Sequence, residues 1–120
     1  MKLLIVDDSL IMRRAIERTL TASRFTEIRS ASNGRLALEE FEKFKPDVVT
    51  MDITMPEMDG LTAVDMILQK NPEAMILVVS ALADKASAVE AIKRGASGFL
   101  LKPVTAESLQ KAIDELLEDN

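Results

Sequence analysis

Four apolar runs in this chain each stop at a reactive polar residue. Leu3-Leu4-Ile5-Val6 runs into Asp7-Asp8, and Val48-Val49-Thr50-Met51 runs into Asp52. Met75-Ile76-Leu77-Val78-Val79 ends at Ser80, and Phe99-Leu100-Leu101 ends at Lys102-Pro103. Short, nearly continuous apolar runs read as strands buried on both faces, the form that strands take in a parallel sheet. Longer stretches of helical period lie between them. Strands alternating with helices make βαβ units, whose right-handed crossovers cover both faces of one sheet. The expected fold is α/β, a doubly wound parallel sheet built from five βα units in a single domain over residues 1–120. Open sheets of this kind bind ligands at the carboxyl edge of their strands. Asp7, Asp8, Asp52, Ser80 and Lys102 would all meet there.

The helices follow from spacing. Asp8 or Ser9 can cap a first helix whose Met12, Ile16 and Leu20 share one face. A strand near Glu27–Ala31 is too short and polar to stand on pattern alone. Ala37, Phe41 and Phe44 mark a second helix after Asn33-Gly34, and Pro46 ends it. Pro56 makes Ile53 to Gly60 a loop. Val64, Ile67 and Leu68 mark a third helix, stopped at Asn71-Pro72. Asp84 is the expected cap of a fourth helix running to about Arg94, and Gly95 and Gly98 bracket the next turn. Thr105 caps a last helix with Leu109, Ile113 and Leu116 inward.

Composition narrows the function. Twenty acidic residues against fifteen basic ones, a formal charge of −5, argue against a nucleic-acid-binding surface. No apolar stretch approaches the roughly 20 residues of a membrane helix, and no signal-peptide pattern precedes the first strand, so a cytoplasmic protein is expected. The chain has no cysteine and no histidine. Imidazole acid–base chemistry and the usual zinc sites are thereby excluded.

Three carboxylates at adjacent strand ends repel one another unless a cation or proton lies between them. Mg²⁺ suits such a set, because it takes a few carboxylate oxygens and keeps several waters. Phosphoryl transfer needs an oxygen nucleophile plus groups that neutralise the phosphoryl oxygens. One aspartate can be the nucleophile while the others hold Mg²⁺. Lys102 can bind a phosphoryl oxygen as a point charge, and Ser80 can donate to another beside the small Ala81. Taken singly, these residues read as caps, turn hydroxyls and solvent-facing strand ends. Together they read as a phosphoryl-transfer site.

In Asp7-Asp8, the segment Met51-Asp52-Ile53-Thr54-Met55-Pro56-Glu57-Met58-Asp59-Gly60, Ser80-Ala81 and Lys102-Pro103, the chain resembles the receiver domain of response regulators. The likeness spans the whole sequence. It implies a flavodoxin-like sheet of strand order 2-1-3-4-5. It makes Asp52 the phosphoacceptor, with Lys102 and Ser80 binding the phosphoryl group. It makes Asp8, Asp52 and the backbone carbonyl of Thr54 the Mg²⁺ ligands, with Asp7 assisting through water. It implies a cis bond between Lys102 and Pro103, and has Gly60 close the loop after the acceptor. The expected donor is a histidine kinase or a histidine phosphotransfer protein, since this chain has no histidine of its own; a small acyl phosphate is the other source. The expected output is contact with a downstream protein through the face made by the fourth helix, last strand and last helix, by a monomer that can dimerise when phosphorylated.

Ser80 and Phe99 are the switch pair that the resemblance implies. Phe99 stands where chemotaxis-type members usually carry tyrosine; it can report by packing but lacks the hydroxyl. It reads equally as a core phenylalanine. Leu82, two residues after Ser80, cannot orient an attacking water, which implies slow autodephosphorylation. Ala83, Ala86, Ala88, Val89, Ala91 and Ile92 give the fourth helix a small-residue surface that reads as packing on the sheet or as a contact patch. Arg13-Arg14 and the acids Glu115, Glu118 and Asp119 read as solvated. The chain is expected to be a signalling phosphoacceptor rather than an enzyme. The rival enzyme is a haloacid-dehalogenase-type aspartyl phosphatase, which usually carries an acid where this chain has Thr54. A receiver that binds partners without phosphate, and a receiver cut from a larger regulator, are also compatible with the sequence. If the chain is a complete gene product, its output must be protein–protein contact in chemotaxis or another phosphorelay.

Overall fold

Every apolar run becomes a strand in the computed structural model, which describes residues 1–21, 24–53 and 58–118. The elements run β1 (Lys2–Val6), α1 (Leu10–Thr21), β2 (Glu27–Ala31), α2 (Gly34–Phe44), β3 (Val48–Asp52), α3 (Gly60–Lys70), β4 (Met75–Ser80), a 3₁₀ turn (Leu82–Asp84), α4 (Lys85–Lys93), β5 (Gly98–Leu101) and α5 (Ala106–Glu118). All strand pairs are parallel, in the order β2-β1-β3-β4-β5. This is the doubly wound, flavodoxin-like architecture that the run pattern and the resemblance imply.

The uninterrupted runs occupy the middle of the sheet because both of their faces are covered. Leu3, Ile5, Val48 and Leu77 pack with Ile16 and Leu20 of α1 and with Leu109, Ile113 and Leu116 of α5. Leu4, Val6, Val49, Met51, Ile76 and Val78 face the other way, against Ala37, Phe41, Val64, Ile67, Ala88 and Ala91. Each strand therefore feeds two core layers, one residue to each in turn. Polar β2 pairs with β1 from Lys2↔Glu27 to Val6↔Ala31, and only its last residue is buried. Its strand state comes from the β1 ladder and not from its own side chains, which is why pattern alone does not reveal it.

Caps fix where the helices start. Ser9 Oγ accepts from the Met12 N–H at 3.2 Å, Asn33 Oδ1 from Leu36 at 2.8 Å, and Asp59 Oδ1 from Thr62 at 2.8 Å. Thr105 Oγ1 accepts from the Ser108 N–H while Ser108 Oγ accepts from the Thr105 N–H, both at 3.0 Å. The expected cap of α4 is different. Asp84 holds the N-cap position at φ −104° and ψ 18°, outside the extended region that aims a side chain at the helix end, and makes no capping hydrogen bond. The helix instead continues the 3₁₀ turn before it.

Two glycines permit close approaches. A Cβ on Gly60 would lie 2.4 Å from the Asp52 carbonyl oxygen and 2.7 Å from Ile53 Cα, so α3 can start hard against the end of β3 only with glycine there. The Gly60 N–H donates to the Ile53 carbonyl at 2.7 Å. Gly95, at φ +118°, makes the left-handed turn after α4.

Candidate functional site: an acidic cluster at the sheet edge

Register brings the strand ends together. β3 lies between β1 and β4, so Asp52 emerges between the ends that carry Asp7-Asp8 and Ser80. Ligand oxygens of Asp7, Asp8 and Asp52 all lie within 4.8 Å of one another. Asp7 and Asp52 are buried and Asp8 is exposed, so the cluster opens to solvent on one side. Lys102 follows β5, and its N–H donates 2.8 Å to the Ser80 carbonyl, which carries the sheet bonding past the strand end. Its Nζ lies 3.7 Å from Asp52 Oδ1 and 4.0 Å from Asp7 Oδ2. The Lys102–Pro103 peptide bond is cis.

Asp7 is the most constrained of the acids. Its N–H extends the β1–β2 ladder to the Ala31 carbonyl at 3.1 Å, and its Oδ1 accepts from the Ser9 N–H at 2.9 Å. Its Oδ2 is buried and accepts no hydrogen bond. Burial pushes the Asp7 carboxyl above its ordinary pKa of 3.8; the Ser9 N–H and Lys102 pull it down, Asp8 pushes it up, and Arg13 pulls it down. A buried carboxylate oxygen without a donor, next to two more acids, is costly in the absence of a cation. Hard oxygen donors, an unsatisfied buried oxygen and a solvent-facing side together fit Mg²⁺.

The remaining expected site residues fall as follows. Ser80 is buried at the end of β4, and its hydroxyl donates to the Ala81 carbonyl at 3.0 Å. Thr54 lies outside the described residues, as does Asp119. Phe99 pairs in register with Val78 on the edge strand but is 38% exposed, so it is not a core phenylalanine. Leu82, in the 3₁₀ turn after β4, is 68% exposed. Ala88 and Ala91 of α4 are buried on the sheet, as the packing reading expects, while Ala83 of the preceding 3₁₀ turn and Ala86, Val89 and Ile92 of α4 are exposed.

One residue read as solvated belongs here. Arg13 is half-buried, and its Nη1 donates to the Asp7 carbonyl at 2.7 Å. The signal was present in the spacing, because Arg13 stands four residues after the Ser9 cap and so on the same helix face as the strand end. Arg14, one position on, is exposed as expected. A cleft of about 480 Å³ lined by Phe41, Lys45, Pro46, Lys70 and Met75 lies at the opposite end of the sheet and shares none of these residues.

Comparison with known proteins agrees with this geometry. The family model described as "Response regulator receiver domain" matches residues 3–114. A chemotaxis protein CheY of Listeria monocytogenes is 43% identical over 96% of this chain and 97% of its own length. A protein-glutamate methylesterase/protein-glutamine glutaminase of Archaeoglobus fulgidus is 44% identical over 86% of this chain, but only 30% of that protein is covered. The crystal structure of the receiver domain of NtrX from Brucella abortus superposes with a TM-score of 0.91 at 31% identity, covering 98% of this chain and 99% of that one. The acidic triad Asp7, Asp8 and Asp52 is of the type that forms the Mg²⁺ site of receiver domains. In sequence, fold and site, then, this chain belongs to the response regulator receiver domain family, the phosphoacceptor proteins of two-component signalling.

Proposed function

We propose that residues 1–120 form one receiver that takes a phosphoryl group onto Asp52 from a phosphohistidine on another protein and uses the modified state to change its partner contacts. The observation that carries this reading is the position of Asp52, a buried carboxylate 3.7 Å from Lys102 and flanked by two further acids. An Asp52 oxygen attacks phosphorus, the phosphorus–nitrogen bond to the donor imidazole breaks, and an acyl phosphate forms. Lys102 loses a carboxylate charge and gains phosphoryl oxygens within reach of the same ammonium. The Ser80 hydroxyl leaves the Ala81 carbonyl to donate to the phosphoryl group. Asp7, Asp8, Asp52 and the Thr54 carbonyl would hold Mg²⁺, which when bound neutralises charge on the phosphoryl oxygens. Water later cleaves the acyl phosphate, slowly, because exposed Leu82 offers no polar atom to orient it.

A receiver is a signalling protein and not an enzyme in the usual sense. The family implies a histidine kinase as donor. We place the output on the α4-β5-α5 face, where Val89, Ile92 and Phe99 are already exposed, and the protein in the cytoplasm; none of its described helices is long and apolar enough to cross a membrane. Chemotaxis is the favoured pathway on the likeness to the CheY protein. Incubation with Mg²⁺ and acetyl phosphate, followed by intact-mass measurement, should give one labile phosphoryl adduct, absent in Asp52→Asn. Adduct formation that survives Asp52→Asn would move the acceptor elsewhere. Rapid multiple turnover of phosphomonoesters would replace the receiver reading with the phosphatase one.

A further inference from the structure

We propose that Arg13 is a positioning residue of the acidic cluster, which ties the first turn of α1 to the end of β1 and so sets the direction of the Asp7 and Asp8 carboxylates. The inference rests on the reading of that cluster as a Mg²⁺ site.

Asp7 is held from both neighbouring elements. On the sheet side its N–H reaches the Ala31 carbonyl. On the helix side Ser9 binds its Oδ1, and Arg13 binds its backbone carbonyl at 2.7 Å. Ser9 and Arg13 are themselves joined, because the Arg13 N–H donates to the Ser9 carbonyl at 2.9 Å in the first turn of the helix. The result is a closed ring: Asp7 carbonyl, Arg13 guanidinium, α1 backbone, Ser9 N–H and the Asp7 carboxylate. The Asp7 carbonyl belongs to the peptide unit that joins Asp7 to Asp8. Fixing that oxygen fixes the plane from which Asp8 departs. Only Asp7 Oδ2 is left without a hydrogen bond, on the side where Lys102 lies. A guanidinium suits this role, since its bond to a carbonyl is charge-assisted and its planar fork is stiff.

Charge and position predict opposite signs, which makes the proposal testable. Arg13 is a cation near three acids, so if charge were its whole contribution, removing it would tighten Mg²⁺ binding. If it positions the acids, removing it weakens binding, by about tenfold for a group that orients a metal ligand. The test is a Mg²⁺ titration followed by the amide resonances of Asp7, Asp8 and Ser9, with no phosphodonor present, on wild type, Arg13→Met, Arg13→Lys and Arg14→Met. Arg14→Met makes the same charge change on an exposed neighbour. The expected results are a dissociation constant about ten times weaker for Arg13→Met, a smaller loss for Arg13→Lys, and a shift of about twofold or less toward tighter binding for Arg14→Met. If Arg13→Met fails to fold, a constant for Arg13→Lys at least about three times weaker than wild type carries the proposal. Unchanged or tighter binding in the Arg13 variants overturns it while leaving the metal site standing. A wild type whose Asp7 and Asp8 resonances ignore Mg²⁺ overturns both.

Discussion

Replacing Asp7 with asparagine should stabilise the metal-free protein and remove its response to Mg²⁺. Asparagine keeps the oxygen that accepts from Ser9 and replaces the charged Oδ2 with a neutral NH2 group. At an effective dielectric constant of about 20, unit charges 4.8 Å apart repel by about 3.5 kcal/mol, and Asp7 faces both Asp8 and Asp52 within that distance. Lys102, 4.0 Å away, returns about 4 kcal/mol. The balance is a penalty of about 3 kcal/mol, which screening by solvent around exposed Asp8 and Lys102 reduces to about 1–2 kcal/mol. In a chain of 120 residues each kcal/mol moves the melting temperature by about 4 °C. Asp7→Asn in EDTA should therefore melt about 4–8 °C above wild type. Mg²⁺ at a hundred times its dissociation constant should raise wild type by about 2.7 kcal/mol, or roughly 10 °C, and the variant far less. The pH dependence has a definite sign. The native Asp7 carboxyl titrates above 3.8, so between the two pKa values the native state holds more protons than the unfolded one. Metal-free wild type gains stability as the pH falls through that window and gains no more below it, and the variant lacks this increment. Melting curves followed by circular dichroism, in EDTA and in Mg²⁺, check all of this. An Asp7→Asn protein that melts below wild type in EDTA, or keeps the full Mg²⁺ shift, would refute the electrostatic argument.

Gly60→Ala should cost about 1–3 kcal/mol in urea unfolding and slow acetyl phosphate labelling of Asp52, because the new methyl group meets backbone that cannot rotate away. Leu82→Ala should shorten the half-life of the phosphorylated state and leave the unfolding free energy within about 0.5 kcal/mol, since the side chain is mostly in solvent; an unchanged or longer half-life would remove Leu82 as the brake. Ile113→Ala, at a buried position of the layer between the sheet and α5, should lose about 2–5 kcal/mol with Mg²⁺ affinity intact. Amide hydrogen exchange should run faster across α4 and β5 than across β1 and β3, and equal protection would contradict the uneven packing of the two sides.

Which parts of the molecule are legible in the sequence depends on whether the local residues or their neighbours decide the structure. β1, β3 and β4 are readable because burial on both faces demands the apolar run itself. The helix starts at Ser9 and Thr105 are readable because a cap is a local hydrogen bond. β2 is not, since Glu27, Arg29 and Ser30 are exposed and the strand is imposed by register with β1. Asp84 misleads because its backbone is set by the 3₁₀ turn from β4 and not by its own capping preference. The acids and Lys102 are foreseen because each ends a readable run. Arg13 is missed because its contribution passes through a backbone carbonyl, which its spacing from Ser9 could signal but its charge does not.

The same unevenness determines where a change at Asp52 can spread. The strand that carries Asp52 is buried from Val48 onward and bonded on both sides, so β3 cannot yield without disrupting two core layers. α4 buries only Ala88 and Ala91 from its own sequence, and β5 is an edge strand whose residues are at most half-buried. Alanine burial gives up little apolar area compared with leucine or isoleucine, so displacing this corner costs least. Lys102 stands at the end of β5 and Ser80 at the end of β4, each one strand or less from the soft corner and within the reach of the acids or their neighbours. Of the two side chains, Ser80 is held on β4, which is buried and paired on both sides like β3. Lys102 follows the loosely packed β5, so under the proposed function a change of charge at Asp52 spreads most easily through Lys102 toward exposed Phe99. Under the proposed function, the rigid side of the sheet fixes the chemistry and the weakly packed side is the one free to report it.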